Sequence, residues 1–311
     1  MPLPNKARSN TEEFRYVRRA KTAKTDENDP RRPIVFMHVP RSGGTSLRTI
    51  LLALSQKGDG QFVNVQGTLY QQFLGQDKPE TTTQLNAGID SFMSASGHIP
   101  FGMPPFKTDH TNWISVVRNP AERLISHYIF GSHKGGWSVE DSIESLFESG
   151  KLIANPMTRQ FAGDTDLTSP VDESTFERAL TNSKKFMAIC KTERLDDLVS
   201  VLLETYSQND LLYQVSNQAR SDISSTIRKK IKGFSDEVNQ YDNVLLRQLE
   251  SQPNFLNSVK HRSRSDHVDV LLRKSNGLID VIPASTQDLN GVKKSLTRIA
   301  PNSIKVKFTG V

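Results

Sequence analysis

The sequence contains a single cysteine, Cys190, among 311 residues. No intramolecular disulfide can form, and a reducing, cytosolic compartment fits this usage. No apolar run approaches the roughly 18–20 residues of a membrane span, so no spanning helix is expected. The first stretch, "MPLPNKARSNTEEFRYVRRAKTAK", carries charge but lacks the apolar centre of a secretory signal. Internal repeats and low-complexity tracts are absent as well. Hydrophobic residues make up 35% and charged residues 24%, which places the chain on the polar side of globular composition. These absences together predict a cytoplasmic protein of one or two domains, with chain enough to bury a large core.

The net charge of +6 is unevenly spread. In residues 255–311, ten Lys and Arg stand against four Asp, a net of +6. Residues 1–32 carry nine against five, a net of +4, which leaves residues 33–254 at −4. Such basic ends can be solvated tails. They can equally attract an anionic ligand or polymer. Three segments are read from charge and periodicity together: residues 1–32, polar and without helical or strand periodicity, as a flexible or loosely docked basic N-terminal arm, 33–254 as the main domain, and 255–311 as a basic C-terminal extension.

The main domain opens on an apolar stretch, Ile34-Val35-Phe36-Met37, followed by "HVPRSGGTSL" and then Ile50-Leu51-Leu52-Ala53-Leu54. The pattern predicts a buried strand, a tight loop and a helix. Glycines let backbone N–H groups approach a ligand, and the helix offers unpaired N–H groups and its positive dipole end to an anion. Arg41 adds a charged fork of donors, and Thr45 and Ser46 add hydroxyls. A strand–turn–helix corner packed tightly for its own sake is the plainer alternative. A nucleotide-hydrolysing P-loop would need G-x-x-x-x-G-K-[ST]. Here Thr45 follows Gly44, and the basic residue precedes the glycines.

A second apolar strand, Trp113-Ile114-Ser115-Val116-Val117, runs into "RNPAERLISHYIF", a helix with Pro120 in its first turn. It ends in Arg118, which would repel a metal ion. Between the two strands lies "SASGHIPFGMPPF", a loop rich in Gly and Pro. Leu195, Leu198, Val199 and Leu202 keep helical spacing, as do Val244, Leu245 and Leu249. Strands alternating with helices predict an α/β fold, P-loop-like and three-layered, with a central, mostly parallel sheet flanked by helices. In the extension, "HVDVLL", "LIDVIP" and "SIKVKF" read as strands. "STQDLNGVKKSLTRIA" reads as a helix, which makes a small C-terminal β-β-α-β appendage.

These motifs together resemble the PAPS-dependent sulfotransferases, PAPS being 3′-phosphoadenosine 5′-phosphosulfate. The chain looks most like the carbohydrate branch with the uronyl and heparan 2-O enzymes. The family's P-[KR]-x-G-G-T-S, which binds the 5′-phosphosulfate, is matched by Pro40-Arg41-Ser42-Gly43-Gly44-Thr45-Ser46. Its V-R-[DN]-P-x-E-R-x-x-S-x-Y, which binds the 3′-phosphate, is matched from Val117 to Tyr128, with Arg118 and Ser126 as the phosphate ligands. "SGHIPFG" resembles the G-H-x-x-[FY]-G loop, whose histidine is the proposed catalytic base; here that is His98. "NPMTRQFAG" and "ICKTERLDDLVSVLL" resemble the helical region, with Cys190 where Gly is common. The likeness spans residues 33–250. It departs from the family at Arg41, where Lys is frequent, and at Asn119, where Asp is commoner.

The resemblance implies sulfuryl transfer from PAPS to an acceptor hydroxyl, a glycan being the favoured acceptor, with PAP (adenosine 3′,5′-bisphosphate) as the other product. It implies neither a metal nor a nucleic-acid partner. Cofactor binding is expected at Arg41, Ser42, Gly43, Gly44, Thr45, Ser46, Arg118 and Ser126. Catalysis is expected at His98, with Arg41 stabilising the leaving oxygen. Sulfuryl transfer needs a base for the acceptor proton, and histidine is the natural one near neutral pH. His38 is the second candidate for the base and a candidate acceptor contact, and Arg159 a further acceptor contact. Arg118 could instead pair with Glu122, and Arg159 could be a helix-surface ion pair. His127, beside Ser126, is expected to point elsewhere on its helix. A kinase-like phosphoryl-transfer enzyme and a non-catalytic anion-binding protein are the competing readings.

Overall fold

The computed structural model describes residues 11–18, 32–58, 60–65, 92–104, 106, 108–134, 137, 142–164, 166, 169–208, 210–214, 223–256, 268–275, 278–283 and 305–308. The chain divides into two compact units. One is formed by residues 26–198 and 219–258, the other by residues 1–25, 199–218 and 259–311.

The larger unit is built on a five-stranded sheet in the order β3-β4-β2-β5-β6. Its strands are β2 (Ile34–His38), β3 (Gln61–Asn64), β4 (Phe92–Gly97), β5 (Asn112–Val117) and β6 (Ala188–Lys191). Every pairing is parallel. Parallel strands with both faces covered read as continuous apolar runs. Accordingly all five residues of β2 are buried, as are the last five of β5. This is the α/β fold expected, with the sheet flanked by helices α1 (Gly44–Lys57), α2 (Pro120–Lys134), α3 (Ile143–Glu148), α4 (Pro156–Ala162), α5 (Glu173–Ser183), α7 (Ser225–Val238) and α8 (Gln240–Leu249). Helix α6 (Leu195–Thr205) carries the chain from this unit into the other.

Alternation along β2 sends Val35 and Met37 into a core with Trp113, Met157, Phe161, Phe176, Ala179, Leu245 and Leu249. Helix α2 packs on α7 through Leu124, Ile125, Tyr128 and Ile231. Short helix α4 is fixed by a buried carboxylate. Asp242 accepts from the N–H groups of Met157 and Thr158 and from the Thr158 hydroxyl. Asn155 N–H donates to Asn239 Oδ1, and Asp242 N–H donates to Asn155 Oδ1. With these bonds the first turn of α4 is satisfied by α8 rather than by water.

The smaller unit carries a sheet in the order β10-β9-β8-β1-β7. Its strands are β1 (Thr11–Arg18), β7 (Asp210–Gln214), β8 (Val268–Ser275), β9 (Leu278–Pro283) and β10 (Lys305–Phe308). The three strands expected in the extension are there, while its expected helix lies outside the described residues. The grouping differs from the three segments read from charge and periodicity. Thr11–Arg18, inside the stretch read as a flexible arm, pairs antiparallel with β8 and β7. Strand pairing joins segments distant in sequence, and charge composition carries no trace of it. Among the described residues, no helix is long and apolar enough to cross a membrane.

Candidate functional site

Three neighbouring strands of the larger unit end side by side. His38 closes β2, His98 follows Gly97 at the end of β4, and Arg118 follows Val117 at the end of β5. Ligands of open parallel sheets bind at these carboxyl ends.

The loop after β2 is tight. Ser42 N–H donates to Val39 O at 3.2 Å, and Arg41 and Gly43 both adopt left-handed backbone, with φ of 68° and 79°. Gly43 caps α1 in this conformation, with no side-chain hydrogen bond and no acidic residue in the first turn. The positive end of α1 is thus open to an anion. Gly44 is held to a hydrogen by His38. A Cβ built there would stand 1.9 Å from His38 Nε2. The His38 ring is 7% exposed and stacks on Phe36 and on His98, so it has little room to yield. Gly44→Ala would normally help a helix by about 0.5–1 kcal/mol. Here it should lower stability instead, by about 1–3 kcal/mol from overpacking. A denaturant midpoint equal to wild type would refute the packing described.

His98 lies over His38, with ring centroids 4.3 Å apart. Its Nδ1 is 3.0 Å from the His38 carbonyl oxygen. A carbonyl only accepts, so Nδ1 carries the hydrogen and Nε2 the lone pair. Burial, and the charges of Arg41 and Arg48, pull His98 below the ordinary histidine range; the bond to the His38 carbonyl works against them. Burial likewise pulls His38 well down, aided by His98, Arg41 and Arg48. His127 is pulled to about 3 by burial and by Arg123, Arg41 and His98. Its ring lies against Trp137, with centroids 5.5 Å apart.

All three histidines bind a proton less readily in the fold than once unfolded, where they titrate near pH 6.5. Their stabilising share is complete above that pH and lost as the pH falls through it. Unfolding should steepen below pH 6.5 by up to about 1.4 kcal/mol per pH unit for each histidine. Asp242, raised by burial, acts in the opposite sense. Urea unfolding between pH 7.5 and 5 would show this, and a flat profile would contradict it.

Arg41 reaches α2. Its Nε and Nη2 both lie 3.4 Å from Ser126 Oγ, and its guanidinium covers the half-exposed Phe130 ring at 4.3 Å. Arg118 Nη1 donates to the Arg41 carbonyl at 3.4 Å. Burial and the Arg118 charge pull Arg41 below the ordinary arginine value, which marks two cations placed close together. Glu122 does not neutralise Arg118 by an ion pair, since it pairs with Lys232 at 2.9 Å and Arg228 at 3.2 Å on α7. Asn119 caps α2, accepting from the N–H groups of Ala121 and Glu122. Among the described residues, the buried donors Arg118 Nε and Ser42 Oγ have no hydrogen-bond partner. Unmet donors beside clustered cations and an open helix end fit an anion with several oxygens.

The structure thus gathers His38, Arg41, Ser42, Gly43, Gly44, His98, Arg118 and Ser126, while Thr45 and Ser46 begin α1. Arg159 is spent elsewhere. Its guanidinium is bound to the carbonyls of Ala154, Asp166 and Ser169 and to the Asp164 carboxylate, which makes it a clamp on the turn after α4. Its neighbour Gln160 was missed by sequence reasoning and does touch the site, donating from Nε2 to the His38 carbonyl at 3.2 Å. The signal was adjacency within "TRQ": successive helical residues face different ways, so only one of the pair reaches β2. Among the described residues, no group of three or more His, Cys, Asp or Glu is placed to hold a metal ion.

Residues 31–164 match the sulfotransferase domain family. No curated protein matches the chain significantly. Among solved structures, the chain is similar to mouse sulfotransferase SULT7A1 complexed with PAP, at 13% identity over 73% of this chain and 74% of that one, with a TM-score of 0.37. It is similar also to retinol dehydratase in complex with androsterone and inactive cofactor PAP, at 10% identity over 70% and 69% of the two chains, with a TM-score of 0.37. Likeness this distant does not bear on the acceptor or on residue roles. The domain match agrees with the enzyme class read from the motifs, a PAPS-dependent sulfotransferase.

Proposed function

We propose that this chain, with its sulfotransferase domain over residues 31–164, transfers a sulfuryl group from PAPS to an acceptor hydroxyl, with His98 as the base. The observation that carries the reading is the His98 imidazole, tied through Nδ1 to the His38 carbonyl beside a loop with unmet donors for an anion.

The residues fit the cofactor. The N–H groups at the start of α1, with Ser42 and Arg41, would hold the phosphosulfate end. Arg118 and Ser126 would hold the 3′-phosphate. PAPS, when bound, supplies the sulfuryl group and a phosphate leaving group. Neutral His98 accepts the acceptor's proton at Nε2, the position its Nδ1 bond leaves with the lone pair. Arg41 and the α1 N–H groups stabilise the charge that builds on the leaving oxygen. Arg41 serves best if its guanidinium leaves Ser126 and Phe130, and the long 3.4 Å contacts make that move inexpensive.

A glycan acceptor is the finer part of the proposal. It rests on the resemblance of "SGHIPFG" and "NPMTRQFAG" to the carbohydrate branch. A cytoplasmic location rests on cysteine usage and on the lack of a long apolar run in the sequence. The basic residues of 1–32 and 255–311 suit an anionic acceptor by charge alone.

A thermal-shift comparison of PAP with ATP–Mg²⁺ tests the reading. A ligand at 100 times its Kd adds about 2.7 kcal/mol of stability. PAP should stabilise without metal. Stabilisation by ATP–Mg²⁺ alone would favour phosphoryl transfer, and silence with both ligands would favour a non-catalytic anion binder.

A further inference from the structure

Gln160 lies on α4, outside the phosphate loop and outside the loop of His98, yet it touches both neighbours of the base. Its Nε2 donates to the His38 carbonyl at 3.2 Å, the oxygen that also accepts from His98 Nδ1 at 3.0 Å. Its backbone carbonyl accepts the Phe101 N–H at 2.8 Å, a bond that any residue at this position could make. The side-chain amide orientation follows from the His38 contact, because turning it would set two oxygens against each other. The remaining atom, Oε1, is buried with no hydrogen-bond partner among the described residues. Packing alone gives no reason to place an amide there with an unmet acceptor.

We infer that Gln160 is a positioning residue for the base: through the shared His38 carbonyl its side chain locks the His98 imidazole in the tautomer with Nδ1–H and a lone pair on Nε2. A carbonyl oxygen has two lone pairs. Gln160 occupies one, so a single direction remains for His98 Nδ1, and the ring is held at one angle. Without the Gln160 side chain the His38 carbonyl loses one donor, its second lone-pair direction opens, and the ring can pivot or exchange tautomers, while the backbone bond to Phe101 stays. Gln160 itself reaches the proton only through His98. The Asp242 cap on α4 extends the chain of support inward, since it fixes the turn that carries Gln160. This inference rests on the proposed reading of His98 as a base.

The test is Gln160→Met in the full-length chain, a substitution of similar length that removes both polar atoms. Two readouts are taken. The first is the tautomer of His98 at pH 7.5, from NMR of the ring nitrogens, assigned with His98→Gln. Wild type should show Nδ1–H; the variant should show a mixture. The second is steady-state sulfuryl transfer: kcat should fall by about 10- to 100-fold, as expected for a misplaced catalytic group, while PAP affinity stays at the wild-type value. If Gln160→Met melts far below wild type, Gln160→Glu replaces it, keeping size while losing the donor at this pH, with the same expectation. A folded variant with the wild-type tautomer overturns the inference, whether or not kcat has fallen. A shifted tautomer in a protein whose wild type transfers no sulfuryl group would uphold the lock and defeat the reading of function instead.

Discussion

His98→Ala should lose about 10²–10⁴-fold in kcat and bind PAP as tightly as wild type, because a general base touches the acceptor and not the cofactor. The structure adds a pH signature. Burial holds His98 below the usual histidine pKa, so the working neutral form persists to lower pH than an exposed histidine would allow. The rate of the wild type should rise with pH through a midpoint below 6.5 and then level off. In His98→Ala that limb should vanish together with the rate. The variant also removes the ring stacked on His38, so its melting temperature must be measured beside its rate. A stable variant with near-wild-type turnover would transfer the role to His38. That outcome is disfavoured by the position of His38 between Phe36 and His98, under Gly44.

Arg118→Ala should weaken PAP by about 10- to 100-fold, the equivalent of one charge-assisted contact of roughly 1.5–3 kcal/mol. Adenosine 5′-phosphosulfate, which lacks the 3′-phosphate, should bind the variant almost as it binds wild type. The ratio of the two affinities is the readout, since a general disturbance of the loop would weaken both ligands alike. Such a disturbance is a fair concern, because Arg118 also donates to the Arg41 carbonyl. Equal losses for both ligands would place the 3′-phosphate elsewhere. The alternative use of Arg118, an ion pair with Glu122, is not what the fold contains, for Glu122 is paired with Lys232 and Arg228.

Much of the candidate site's backbone was legible because a strand–loop–helix corner is local. A strand, two glycines and a helix start must be contiguous to aim backbone N–H groups at one point, so "HVPRSGGTSL" announces itself. The same holds for "RNPAERLIS", where strand end and helix face are eight residues apart. The parallel sheet was legible for a similar reason: strands buried on both faces are uniformly apolar, and β2 and β5 are. What resisted reading involved partners far away in the chain. Arg159 and Gln160 look equally suited to a site, but one is clamped to a nearby turn and the other reaches a carbonyl 122 residues away. His127 was placed away from the site by helical rotation, but its partner there, Trp137, could not be named from the sequence. Thr11–Arg18 was unreadable as a strand because its partners are supplied by residues 210–214 and 268–273.

The sequence by itself determined the α/β architecture and the two strand–turn–helix corners, since each follows from side-chain periodicity or contiguous backbone geometry; the histidine to suspect came from the resemblance of its loop. Only the tertiary structure decided which nitrogen of His98 holds the lone pair, that Arg41 bridges to Ser126, that Glu122 pairs with α7 rather than with Arg118, and that Gln160 reaches the His38 carbonyl while Arg159 is tied to its own turn. Each of those is a hydrogen bond or an ion pair between elements brought together by burial of the sheet, and a donor's choice of partner is settled only when all competing partners are in place.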